Sequence, residues 1–161
     1  DLIIISGERH DDSFDLITRT LEKMGEIKTV EISIESSGRH NFGTIGPDKT
    51  PVVTLPGDPI AAYISFELLI RPMIRTMLGT ATIHRPSVKA KLEKALTSSG
   101  GYRSYVRAIL SEDGKSVAPL SSQDEQATLS DANCFIAVPE GETSLSAGAQ
   151  VTVVVLERRY L

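Results

Sequence analysis

The sequence predicts two architectures in succession, an α/β segment followed by an all-β segment. Three observations carry this. A continuous apolar run, Leu2–Ile5, leads into a helical repeat. A second, longer helical pattern runs from Ile60 to Leu78. After Gly79 helical spacing stops, and short β-like runs alternate with Gly, Ser and Asp clusters.

Leu2–Ile5 is apolar at every position, the pattern of a strand buried on both faces. Phe14, Ile17, Leu21 and Met24 give a helix one apolar face. Asp12 or Ser13 suits its N-cap and Gly25 its end. Ile27–Ser33 alternates as a strand, with Val30, Ile32 and Ile34 on one face. Asn41–Ile45 and Pro51–Leu55 predict a hairpin across the turn-rich GPDKT.

Pro56-Gly57 reads as a turn. Asp58 then serves as N-cap and Pro59 as the first helical residue, since a proline there loses no bond. The Ile60–Leu78 helix is apolar on nearly all sides, so it is expected to be buried on several faces or in a subunit interface. Pro72 interrupts its hydrogen-bond ladder and predicts a kink near Leu68-Leu69. Gly79 ends it. The β-like runs are Pro86–Leu96, Tyr102–Leu110, Ser116–Leu120, Cys134–Val138 and Gln150–Leu156, with SEDGKS as a hairpin turn. They predict a small β-barrel or sandwich. The boundary falls between Gly79 and Pro86, giving domains 1–79 and 80–161.

Composition narrows the function. A chain of 161 residues with 40% hydrophobic and 24% charged residues suits one ordinary globular domain or two small ones. Net charge is −4, without a long basic run, which argues against nucleic acid as a partner. With no Trp and few aromatics there is no platform for stacking bases. No apolar run approaches the ~20 residues that span a membrane, and no signal-peptide pattern is present. The single cysteine, Cys134, excludes an internal disulfide framework and fits a reducing cytoplasm. Its flanks read as a strand, so it is expected to be a buried core residue rather than a nucleophile. The chain begins at Asp1 with a core strand immediately behind it, so it is expected to be part of a longer protein.

Several stretches together resemble one family. These are an apolar strand ending in Ser6-Gly7, Asp15 eight residues after that glycine, Phe42-Gly43, and above all LPGDPIAAYISFELLIRP, Leu55–Pro72. YRSYVRAIL, ANCFIAVPEG and GAQVTVVVL follow in order. The pattern is similar to that of the molybdopterin molybdenumtransferases, the bacterial MoeA proteins and the gephyrin E domain. The resemblance covers the whole chain and is most specific at Leu55–Pro72. It implies the C-terminal half of a three-layer, MogA-like α/β domain followed by a small β-barrel-like domain. It also implies insertion of molybdate into adenylylated molybdopterin with Mg²⁺ and release of AMP, in a cytoplasmic protein that is a homodimer at full length.

Carried over position by position, the resemblance assigns Asp15 a catalytic role. Gly7, Arg39, Pro56, Gly57, Asp58 and Pro59 would bind substrate, and Asp15 and Asp58 the metal. The anionic substrate calls for cations, backbone donors and metal-binding carboxylates. The chain departs from the pattern at several points. Glu8 and Asp12 replace glycines of the first loop, and His10 replaces a serine. Glu35 and Gly38 stand where the family has lysines, with Arg39 and His40 just beyond. Asp58 stands where Asn is usual, and SSQDE, Ser121–Glu125, lacks a Gly-Ser pair. Arg103 and Arg107, on one strand face, are further candidate cations.

Each feature also has a structural reading. Asp15 suits an early helical turn, ESSGR a surface turn, and His10-Asp11-Asp12 a solvated turn rather than a metal cluster. The alternative function is a divergent, non-catalytic paralogue serving as a ligand-binding or interaction module. No G-x-S-x-G nucleophile elbow is present, which argues against an α/β hydrolase.

Overall fold

The computed structural model describes residues 1–8, 11–35, 37–120 and 130–156. They form two compact units, Asp1–Ile83 and His84–Leu161.

The first unit is built on β1 (Ile3–Glu8), α1 (Asp11–Glu22), β2 (Gly25–Glu31), β3 (Arg39–Ile45) and β4 (Thr50–Pro56). The strands lie in the order β1-β4-β3-β2. β1 runs parallel to β4, and the other two pairings are antiparallel. The period of two along β4 divides the core. Val52 packs with Leu21 and Ile45 under α1, while Val53 packs with Leu55 and Ile70 under the long helix. Helices therefore cover both faces of one mixed sheet.

Several local expectations change in this setting. β1 was expected to be buried on both faces, yet Ile3 and Ile4 are each 39% exposed. Among the described residues β1 has one strand neighbour, β4, so only part of each face is covered. α1 already begins at Asp11, which places Asp12 and Ser13 inside the first turn instead of at the cap. The helix stops at Glu22, leaving Met24 in a turn and 52% exposed. Gly25 opens β2 rather than closing α1, and a Cβ there would lie 2.0 Å from the Thr44 carbonyl oxygen. On β2 it is Ile27 that joins the core, while Val30 faces outward at 39% exposure. The face turned toward α1 is thus the odd-numbered one, not the face shared by Val30, Ile32 and Ile34.

The β3–β4 hairpin forms as expected, with Ile45 opposite Thr50. Next come α2 (Pro59–Ser65), a wide π-helical turn (Phe66–Ile70) and α3 (Arg71–Met77). Asp58 caps α2, its Oδ1 accepting the Ala61 N–H at 2.8 Å. Pro72 explains the wide turn. It offers no N–H to the Leu68 carbonyl and its ring crowds that oxygen, so the Arg71 N–H reaches back to Phe66. The distortion spans the predicted Leu68-Leu69. The helix ends on Gly79 at φ +66°, with Gly79 N–H bonded to Thr76 O and Thr80 N–H to Arg75 O. Burial fades toward this end, where Met77 is 52% and Leu78 71% exposed.

The second unit contains β5 (Ser87–Leu92), β6 (Leu96–Thr97), β7 (Ser104–Leu110), β8 (Ser116–Pro119), β9 (Cys134–Val138), β10 (Ser144–Leu145) and β11 (Gln150–Val155). β11, β5, β8, β7 and β9 close into a barrel, and β6 pairs with β10. Alternate residues point inward: Ala90 and Leu92, Ala108 and Leu110, Ile136 and Val138, and Val151, Val153 and Val155. Closure leaves no unpaired edge in that ring. Asn133 seals one corner, accepting the Leu110 N–H and donating to the Leu110 carbonyl. The β7–β8 turn runs through SEDGKS, as predicted. Cys134 is fully buried and donates to the Ala108 carbonyl, and burial pushes its thiol up to about 12. It is an inert core residue.

Candidate functional site

The sequence-predicted residues gather at one end of the first unit's sheet. β1 and β4 are parallel, so their carboxyl ends lie side by side, with Glu8 paired to Pro56. Ligands of α/β folds collect outside such ends. Gly7 sits where the β1 register slips, at φ +111°, a conformation that side-chain-bearing residues rarely adopt, and the space where a Cβ would lie is open. Next to it, Pro56-Gly57 leads into the α2 cap at Asp58 and Pro59. Because β3 runs antiparallel to β4, its first residue, Arg39, belongs to this same end.

Arg39 meets Asp15 there. Its guanidinium lies 3.4 Å from Asp15 Oδ1 and 4.4 Å above the centre of the Phe14 ring. The pair is well exposed, 39% for Arg39 and 51% for Asp15, so water screens it and it adds little to stability. Asp58 is committed through one carboxylate oxygen to the helix cap.

Behind this surface lies a polar network that sequence reasoning missed. Glu35–Arg39 was read as a surface turn, yet Ser37 within it is buried, as are His40 and Asn41 just beyond it. His40 Nδ1 lies 2.9 Å from the Thr54 carbonyl, which can only accept, so Nδ1 carries the proton. Nε2 then accepts from Ser37 Oγ at 2.9 Å, and Ser37 Oγ is 2.9 Å from Ser65 Oγ. Burial holds the His40 imidazole below its ordinary pKa, so it is neutral. Asn41 donates to Thr18 Oγ1 and accepts from Thr29 Oγ1, tying β3 to α1 and β2. One signal was available: the polar residues Ser37, His40 and Asn41 interrupt an otherwise strand-like run.

Arg9, His10 and Ser121–Glu125 lie outside the described residues. Among the described residues no group of three or more His, Cys, Asp or Glu side chains is arranged for a metal ion. Arg103 and Arg107 do not behave alike. Arg103 is exposed at the start of β7, whereas Arg107 is 9% exposed, buried beside Phe135 of β9.

Residues 89–156 match the family of the MoeA C-terminal region, domain IV. The chain is 30% identical over 165 aligned residues to molybdopterin molybdenumtransferase 1 of Mycobacterium tuberculosis, covering 97% of this chain and 39% of that protein. The chain belongs to the MoeA family. Molybdopterin molybdenumtransferase 2 of the same organism is 34% identical over 130 residues, which is 79% of this chain and 31% of the relative. The crystal structure of a molybdopterin biosynthesis MoeA protein from Pyrococcus horikosii superposes with TM-score 0.78 at 27% identity, covering 97% of this chain and 37% of that one. This chain thus spans well under half the length of these MoeA relatives. The structural likeness is to MoeA proteins, and it does not carry the MogA-like attribution.

Proposed function

We propose that this chain supplies part of the site where molybdate is inserted into adenylylated molybdopterin. One observation carries the proposal: Gly7, Pro56–Pro59 and the Arg39–Asp15 pair share one end of the sheet. In this reading the open backbone at Gly7 and the Pro56-Gly57 turn admit the ligand closely. Arg39 offers the phosphate a charged fork. Asp15 and Asp58 are the carboxylates on hand for Mg²⁺, a hard cation that prefers oxygen ligands and would neutralise charge around the anionic substrates. Asp58 would contribute the carboxylate oxygen not spent on the Ala61 N–H. Named relatives are transferases of this class, which supports the catalytic reading over the non-catalytic alternative. We likewise propose a cytoplasmic homodimer; no helix among the described residues is long and apolar enough to cross a membrane.

The test is release of AMP from adenylylated molybdopterin by the protein, with and without molybdate and Mg²⁺. The expected result is molybdate-dependent AMP release, sharply reduced in Asp15→Asn. A folded protein that releases no AMP overturns the reading.

A further inference from the structure

We propose that His40 is a positioning residue of the candidate site, coupling the turn that carries Arg39 to the helix that starts after Asp58. The ligand-related part of this inference rests on the function proposed above. His40 itself has no access to solvent and cannot touch a ligand, but it adjoins Arg39 in sequence.

Its bonds run in one direction. The Nδ1–H is spent on the Thr54 carbonyl of β4, 2.9 Å away. Nε2 is therefore an acceptor and takes the Ser37 hydroxyl proton at 2.9 Å. Ser37 Oγ, its own proton used, accepts from Ser65 of α2 at 2.9 Å. Ser37 and Ser65 are 2% and 0% exposed, so water does not compete. A buried polar chain with each member satisfied resists rearrangement, because breaking one bond strands a desolvated group.

This chain joins β4, the turn before β3, and α2. The turn between Ser37 and Arg39 passes through Gly38 at φ +61°, a conformation glycine adopts without strain, so the turn is held by its hydrogen bonds rather than by its own backbone preference. Backbone bonds from Ser37 N–H to the Ile34 carbonyl and from Ile32 N–H to the Gly38 carbonyl hold the turn toward β2, and the Ser37 hydroxyl is what ties it to α2. Arg39 follows Gly38 as the first residue of β3, at the end of its pairing with Glu31 of β2, and from there lies over Phe14 and against Asp15. The other flank is held separately, through Asn41 to Thr18 and Thr29. In this proposal the chain sets how the turn presents Arg39, while the strand pairing sets the register of β3.

Two uncharged replacements separate positioning from packing. His40→Gln brings an amide oxygen near the Nε2 position and keeps the acceptor for Ser37. His40→Asn mimics only the Nδ1 side and loses it. Ser65→Ala and Ser37→Ala remove the chain from its far end and its middle. The first readout is the ring-current shift that Phe14 imposes on the Arg39 δ protons. The second is equilibrium binding of adenylylated molybdopterin. His40→Asn and Ser37→Ala are expected to lose the ring-current shift and weaken binding about tenfold, the loss of one charged contact. His40→Gln is expected to retain both. Adding Arg39→Ala to Ser37→Ala should cost no further affinity. Persistence of the shift in Ser37→Ala, or full additivity of Arg39→Ala with it, overturns the proposal. Absence of binding by the unaltered protein would overturn the proposed function instead, and the ring-current readout would still decide the positioning role.

Discussion

His40 shows how one buried residue makes stability depend on pH. Its folded-state pKa is lowered by burial, while in the unfolded chain it returns to about 6.5. Between those values the unfolded chain holds the proton and the fold does not. His40 therefore costs nothing above pH 6.5, and stability falls as the pH drops through 6.5 toward the folded value. The slope reaches at most about 1.4 kcal/mol per pH unit, one proton's worth. Urea unfolding of the protein and of His40→Asn between pH 7.5 and 5 should show this extra loss in the unaltered protein only. Parallel curves would mean that His40 is charged in the fold.

Asp15 and Asp58 separate at the same scale. Asp58→Ala removes the oxygen that caps α2 and should lower stability by about 1 kcal/mol in thermal or urea unfolding. Asp15→Asn breaks only an exposed pair and should change stability by less than about 1 kcal/mol, although its effect on AMP release is expected to be large. Matching stability losses in the two variants would contradict this assignment. Asp58 as a cap was legible from its neighbours, Gly57 and Pro59. The Asp15–Arg39 encounter was not, because 24 residues separate them and only the antiparallel return of β3 brings them together.

Among the elements, the long helix was the most readable. Its start follows from Asp58-Pro59, its distortion from Pro72 and its end from Gly79, all local chemistry. The strands of the first unit were harder. An alternating pattern shows that a strand has two faces, but not which face meets a helix, and here it is Ile27 and not Val30 that packs inward. Gly43 illustrates close strand approach. A Cβ there would lie 2.0 Å from the Glu26 carbonyl oxygen and 2.8 Å from Ile27 Cδ1. Gly43→Ala should force β2 and β3 apart and destabilise by roughly 1–3 kcal/mol, the range for overpacking. The check is urea unfolding together with loss of amide protection along β2. An unchanged midpoint would show that the two strands can separate freely.

At the scale of the whole molecule there are two cores. The barrel core contains Ile136, fully buried among inward-facing valines and leucines, and the sheet core contains Val52 and Val53. Ile136→Ala should cost 2–5 kcal/mol, the transfer loss plus the cavity left behind. Native-state hydrogen exchange should place that loss in the barrel strands, with amides of β3 and β4 little affected. Equal loss of protection in both units would mean that they unfold together.

The sequence by itself determined the succession from α/β to β, the limits of the long helix, the hairpins and the β-runs that build the barrel. It also marked Gly7, Asp15, Arg39 and Pro56–Pro59 as a set through family resemblance. These are matters of spacing, capping and turn chemistry, which act within a few residues. Only the tertiary structure decided that this set meets at one end of a sheet, that Ile3 and Ile4 stay partly exposed, and that His40 is buried and neutral between the Thr54 carbonyl and Ser37. Those outcomes depend on strand order and on which faces are covered, and segments far apart in the chain set both.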